Sequence, residues 1–122
     1  MAWKMERKDA VDWFCGAIEG GVAYWMNETC TDVSIERNEA FGDDARLDDW
    51  EYTQVQFTDE DGKAHKITLE DMVERSTEYL QFLIEQIPFR VQNFVAGENS
   101  DADAEDYDRY FQWLAFGEVV YG

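Results

Sequence analysis

The sequence predicts an α+β domain: a three-stranded antiparallel sheet with an N-terminal helix and two to three C-terminal helices packed on one face. Three observations carry this. Apolar residues recur at helical spacing in the first quarter of the chain, the period changes to two between Cys30 and Leu69, and helical spacing returns from Thr68 onward. A length of 122 residues, 45% of them hydrophobic and 16% aromatic, suits one domain spanning 1–122 with a single core.

Val11, Phe14, Cys15, Ile18, Val22 and Met26 trace one face of a helix from about Glu6 to Asn27. Gly16 and Gly20 sit beside that face, where another element can approach closely, and Gly20-Gly21 weaken the helix or bend it. Three short strands follow: Val33 and Ile35 alternate with polar residues, then Thr53, Val55 and Phe57, then His65, Ile67 and Leu69. Asp61-Gly62 within "TDEDGK" supplies the positive φ angles of a tight hairpin turn and makes the last two strands antiparallel neighbours. The outer face carries Trp50, Tyr52, Gln54 and Gln56, and "NEAFGDDARLDD" between the first two strands is a loop.

Thr68, with Asp71 three residues on, forms a capping box ahead of a helix that reaches Ile87 through Met72, Val73, Ser76, Leu80, Leu83 and Ile84. Pro88 ends that helix and opens a short one stopped at Gly97. Ser100 or Asp101 caps a last helix with Ala104, Tyr107, Phe111 and Leu114 on one side, Gly117 closes it, and "EVVYG" is an extended tail. Val11, Phe14, Ile18, Val22, Leu80, Leu83 and Leu114 are the expected core of the helix layer.

The charge is the outstanding feature. Ten Lys+Arg against 28 Asp+Glu give −18, more than solubility needs and costly through self-repulsion. Direct binding to nucleic acid or to an anionic membrane is disfavoured, because both begin with cations neutralising phosphate. The expected partner is basic. No run approaches the roughly 20 apolar residues of a membrane span, and the chain reads as a cytoplasmic protein in which Cys15 and Cys30 stay thiols.

Catalytic and metal chemistry find little support. "DADAEDYDRYFQ" begins like a calcium loop, but Asp106 stands at the sixth position, where the turn needs Gly, and Gln112 at the twelfth, where a bidentate Glu belongs. His65 is the only histidine, and neither cysteine has zinc-ligand spacing. No cofactor, metal or catalytic residue is expected. The candidate functional residues are the acids themselves: Asp43, Asp44, Asp48, Asp49 and Glu51; Asp59, Glu60 and Asp61; and Asp101, Asp103, Glu105, Asp106 and Asp108. The helix dipole accounts for carboxylates in a first turn only.

A compact chain of this length is about 35 Å across, and duplex DNA carries about 20 charges over that span. The net charge of −18 is of the same order. The expected function is therefore an acidic nucleic-acid mimic that occupies a basic DNA- or RNA-binding cleft. The alternative is a non-enzymatic interaction module or homodimer joined through an aromatic patch, with the acids serving solubility. Monomer and dimer both stay open.

"GAIEGGVAYWM", "DEDGKAHKITLEDM" and "DADAEDYDRYFQWLAFGEVVYG" together resemble a group of small acidic proteins of bacteriophages and mobile elements. The group shares a Gly-Gly-x-x-Tyr-Trp segment and a Phe-Gly-Glu-Val-Val-Tyr-Gly end, has no established activity and brings no catalytic residues. Residues 28–50 and 85–97 lie outside the likeness. The resemblance implies a phage-like origin and, by analogy, an inhibitor of a host defence system, anti-CRISPR or anti-restriction, acting in the host cytoplasm. Tyr24, Trp25, Trp113, Phe116 and Tyr121, in the resembling segments, are expected to hold the two ends of the chain together.

Overall fold

A computed structural model describes residues 3–38, 51–97 and 101–121. Chain order is α1 (Arg7–Gly16), a π turn (Ala17–Gly21), α2 (Ala23–Thr29), β1 (Thr31–Asn38), β2 (Glu51–Thr58), β3 (Ala64–Thr68), α3 (Leu69–Glu74), α4 (Ser76–Gln86), a 3-10 turn (Pro88–Arg90), α5 (Val91–Val95) and α6 (Ala104–Phe116). The sheet is antiparallel in the order β1-β2-β3, and α1 and α6 pack against each other over β2 and β3. This is the α+β arrangement that the periodicities predict.

The first amphipathic segment is one helical rod interrupted at its glycines. Across Ala17–Gly21 the hydrogen bonding widens to the π pattern, and Val22 then caps α2. A Cβ on Gly21 would lie 2.8 Å from the Ala104 carbonyl oxygen, and one on Gly16 would lie 2.4 Å from the Tyr107 ring. Gly21 lets the rod meet the α6 backbone directly, and Gly16 makes room for the Tyr107 ring. Gly20, the expected contact residue, has open space instead.

The helix from Thr68 to Ile87 is two helices. The Thr68–Asp71 capping box is present at the start. The break falls at Arg75, because the buried Ser76 hydroxyl donates to the Val73 carbonyl at 2.7 Å and accepts the Met5 N–H at 2.9 Å. A hydroxyl bonded to the backbone of the preceding turn competes with the helical ladder and bends it. Arg75 caps the bend by lying 4.6 Å above the Trp113 ring.

The β2–β3 hairpin differs from the expected two-residue turn. Only Gly62 has positive φ, Asp59 N–H bonds the Lys63 carbonyl, and Gly62 N–H bonds the Asp59 carbonyl. That is a three-residue loop with glycine at the left-handed position. At the last helix, Asp103 is the cap in place of Ser100 or Asp101: its carboxylate accepts the N–H groups of Glu105 and Asp106, while Asp106 reaches back to the Asp103 N–H. Ser100 and Trp50 lie outside the described residues. Gly117 closes α6 in the left-handed conformation as expected.

The core is mainly aromatic and α6 runs through it. Tyr110 and Trp113 join Trp13, Tyr79 and Phe94 on one flank, whereas Phe111 meets Trp25 and Phe57 over the sheet. Phe14, Val22, Leu83 and Leu114 are buried, and Val11, Ile18 and Leu80 pack against them half-buried. Val33 and Ile35 are 44% and 45% exposed, because β1 is an edge strand beyond the main cover of α1 and α6. A bulge at its start, with Asp32 at φ 55°, shifts its register on β2.

The close approach at Gly21 has a measurable consequence. Gly21→Ala should cost about 1–3 kcal/mol, as overpacking against backbone does. Gly20→Ala should be neutral or up to about 1 kcal/mol stabilising through helix propensity. Urea midpoints at unchanged m-value check both.

Candidate functional site

The first helical rod, the last helix and the tail meet at one place, and a buried carboxylate holds them there. Asp108, on α6, accepts the Trp25 indole N–H at 2.7 Å through Oδ1 and the Tyr24 hydroxyl at 2.7 Å through Oδ2. The Gln112 amide, one helical turn on, donates to both oxygens at 3.1 and 3.0 Å. Asp108 and Gln112 share a helix face because four residues make about one turn.

Gln112 also binds the tail. Its Oε1 accepts the N–H groups of Val120 and Tyr121 at 2.9 and 2.7 Å, and its Nε2 donates to the Tyr121 carbonyl at 3.0 Å. A side-chain amide carries the donor and acceptor of a peptide group, so it pairs with an extended segment as a neighbouring strand would. The Tyr121 ring then stacks on Trp25 at 4.9 Å, nearly parallel, and its hydroxyl donates to Glu60 in the hairpin loop at 3.3 Å. Tyr24, Trp25, Phe116 and Tyr121 thus hold the ends together, Tyr24 through its hydroxyl although the residue is 50% exposed, whereas Trp113 packs on the other flank against Tyr79 and Phe82.

Between the π turn, the start of α6 and the tail lies a cavity of about 420 Å³, whose walls include Gly20, Gly21, Tyr24, Glu105, Asp108 and Tyr121. Burial, and then the Asp108 carboxylate, push the Tyr24 hydroxyl up to about 12, so it stays protonated and donating at neutral pH. Arg109 also lines the cavity, with its guanidinium 3.3 Å from Asp106.

The candidate acids divide into three sets. Asp106 and Asp108 are committed inside the fold, which corrects the expectation of a solvent-facing surface at these positions, while Glu51 and Asp59, partly buried, are held in pairs at the surface. Asp106 is 4% exposed and bonds Arg90 through both oxygens, with Arg109 as a second cation; the same contact raises the Arg90 pKa. Asp108 is 5% exposed. Glu51 takes a bidentate pair from Arg7 at 3.0 and 2.7 Å, which lowers its pKa. Asp59 accepts the N–H groups of Asp61 and Lys63 and pairs with His65 at 2.6 Å.

Asp101, Asp103, Glu105, Glu60 and Asp61 are the exposed set. Among the described residues, Asp101, Glu105, Glu60 and Asp61 have no cation within ion-pair distance, whereas Asp103 lies 3.7 Å from Arg90. Asp43, Asp44, Asp48 and Asp49 lie outside the described residues.

Sequence reasoning missed Gln112 as the tail anchor and the hydrogen bond from Tyr24 to the buried Asp108. A signal existed: with Asp103 as cap, Asp106 completes an Asp-x-x-Asp box, and Asp108 then falls four residues before Gln112 and three before Phe111 on an inward face. Elsewhere, Cys15 and Cys30 are free thiols, and burial followed by Glu19 pushes Cys15 up to about 11, which keeps it unreactive at neutral pH. Among the described residues no group of three His, Cys, Asp or Glu side chains is placed to hold a metal, and no helix is long and apolar enough to cross a membrane.

Gln112→Leu keeps the helix but removes both halves of the tail anchor. The Val120 and Tyr121 amides should then exchange at least tenfold faster by hydrogen exchange, with the core amides little changed. Acid stability tests Asp59, whose pKa is lowered first by the His65 bond and then by backbone N–H groups. A depressed folded pKa means that stabilisation is full above the unfolded value of about 3.9 and is lost as pH falls below it. Asp59→Asn should therefore show a shallower loss of stability than the wild type below about pH 4 in denaturation curves taken across the acid range. Compared with family models, with curated proteins and with solved structures, the chain matches none.

Proposed function

We propose that this protein is a non-enzymatic inhibitor that acts as an acidic decoy for nucleic acid. It occupies the basic cleft of a DNA- or RNA-handling host complex, of the CRISPR or restriction kind, in the host cytoplasm. One observation carries the reading: the charge of −18 coexists with intramolecular ion pairs that engage six of the ten Lys and Arg side chains. Lys4 pairs with Glu74, Arg7 with Glu51, Lys8 with Glu6, Arg75 with Glu78, and Arg90 and Arg109 with Asp106. The acids without such partners include Glu105 on the cavity wall, Asp101 before α6, and Glu60 and Asp61 in the hairpin loop that Tyr121 touches. Uncompensated carboxylates present a negative field to a cleft shaped for phosphates.

A second reading is an interface formed through β1. The exposed Val33 and Ile35 line an apolar groove of about 290 Å³ with Ile18, Val22 and Met26. A homodimer formed there depends on apolar burial and is indifferent to salt.

Salt separates the two. Tagged protein should capture a nucleic-acid-handling complex from host lysate, DNA or guide RNA should displace it, and affinity should fall at least tenfold between 50 and 200 mM salt, as polyanion contacts do. The combined change Glu60→Gln, Asp61→Asn, Asp101→Asn and Glu105→Gln should weaken capture, and the same neutralisation at Asp43, Asp44, Asp48 and Asp49 is the comparison. A dimer by light scattering that salt does not alter, with no basic partner captured, would favour the β1 interface instead.

A further inference from the structure

Phe89 is 81% exposed, more than any other large apolar side chain among the described residues. It sits in the 3-10 turn Pro88–Arg90, and that turn is held at both ends. Pro88 has a fixed φ, the Arg90 N–H closes the turn on the Ile87 carbonyl at 3.0 Å, and the Arg90 guanidinium forks onto the buried Asp106 of α6. The ring therefore projects from a firm mount. The core gains almost nothing from it, since so little of the side chain leaves water. Around the mount the charge is negative. Asp103, with 61% of its side chain exposed, lies 3.7 Å from Arg90, whose pKa is raised first by the Asp106 hydrogen bond and then by the charges of Asp106, Asp103 and Glu105. Glu85, exposed near the end of α4, accepts the Gln81 amide at 3.0 Å and among the described residues has no cation within ion-pair distance.

We propose that Phe89 and the exposed acids at the start of α6 together imitate an unstacked base with its flanking phosphates, and that the partner is a protein groove for single-stranded nucleic acid. The proposal rests on the decoy reading and narrows it from nucleic acid at large to single strands. Grooves of this kind line a path for the backbone with cations and set aromatic side chains along it for the bases to stack on. The stacking tolerates any base because every base has a π face, and a phenyl ring has one too. A duplex keeps its base faces covered, so a cleft built for it has no use for a projecting ring. Other occupants fit less well. A second copy would set Asp103, Glu105 and Glu85 against the same acids at −18 per chain. One aromatic side chain also supplies only about 150–250 Å² of the roughly 800 Å² per partner that a stable interface buries. An anionic membrane repels the same carboxylates. An apolar pocket without cations leaves them unpaired.

The test uses the full chain with the photoreactive change Phe89→benzoylphenylalanine, and Val33→benzoylphenylalanine on β1 as the control. Irradiated in host lysate, the first chain should form one main adduct, mapped to an aromatic or apolar residue flanked by Lys or Arg in a nucleic-acid-binding protein. The control should not form it. Oligothymidylate should suppress the adduct at least tenfold more effectively than duplex DNA of equal phosphate content. Phe89→Ser should leave the urea midpoint unchanged, because the ring faces solvent, yet weaken capture at least tenfold at 50 and at 200 mM salt alike. The combined neutralisation of Glu60, Asp61, Asp101 and Glu105 should instead flatten the dependence on salt, which separates the ring from the acids. No adduct at the Phe89 position, an adduct with a second copy or at a site without cations, or equal suppression by duplex overturns the proposal. Capture that DNA displaces and salt weakens but Phe89→Ser leaves intact removes the ring and keeps the decoy, whereas a partner that neither single strand nor duplex displaces removes the decoy itself.

Discussion

The hydrogen-bonded carboxylate of Asp108 is the constraint around which the rest of the fold is arranged. It fixes the last helix against the first helical rod through Trp25 and Tyr24, and through Gln112 it fixes the tail as well. A carboxylate buried to this degree must have its lone pairs filled, so all of these donors have to arrive together. That requirement ties three segments distant in sequence into one cooperative unit. Gly16 and Gly21 are its steric counterpart, because a side chain at either position would hold α6 away from the rod.

The same residue type serves opposite ends within a few positions of α6. Asp106 pairs with two arginines and closes the capping box, Asp103 caps the helix, Asp108 anchors aromatic donors, and Glu105 faces solvent. Helical geometry sorts them, since a residue's place around the axis decides whether its carboxylate meets the core or water. The acidity of the chain therefore has two origins: a structural part held in internal pairs, and a surplus on the surface that the fold itself does not require.

The sheet is protected unevenly. β2 and β3 lie under α1 and α6, and Phe57 packs between Trp25, Phe111 and His65. β1 keeps two branched apolar residues exposed over a groove. Acidic residues along it, Asp32 and Glu36, and the bulge near its start discourage edge-to-edge pairing with other sheets. The cavity beside Asp108 and the groove under β1 are thus chemically distinct surfaces, one charged and one apolar.

By itself the sequence determined the α+β class, the hairpin between β2 and β3, the Thr68 capping box, the stop at Gly117 and the helical periodicity of the core. Each rests on local backbone chemistry or on a period of 2 or 3.6, and both are written in neighbouring residues. The tertiary structure alone decided the bend at Arg75, which depends on Met5 reaching Ser76 across 71 residues. It also decided that Gly21 rather than Gly20 is the close contact, and that Val33 and Ile35 lie at an edge, since alternation cannot say how far the helices extend over a sheet. Above all it decided which acids are surface. Asp106 and Asp108 read like their neighbours in the chain, but burial follows from what packs opposite them, and Arg90, Trp25 and Tyr24 come from elsewhere in the sequence. Charge is a sum that composition delivers, whereas the place where it is compensated is a property of contacts.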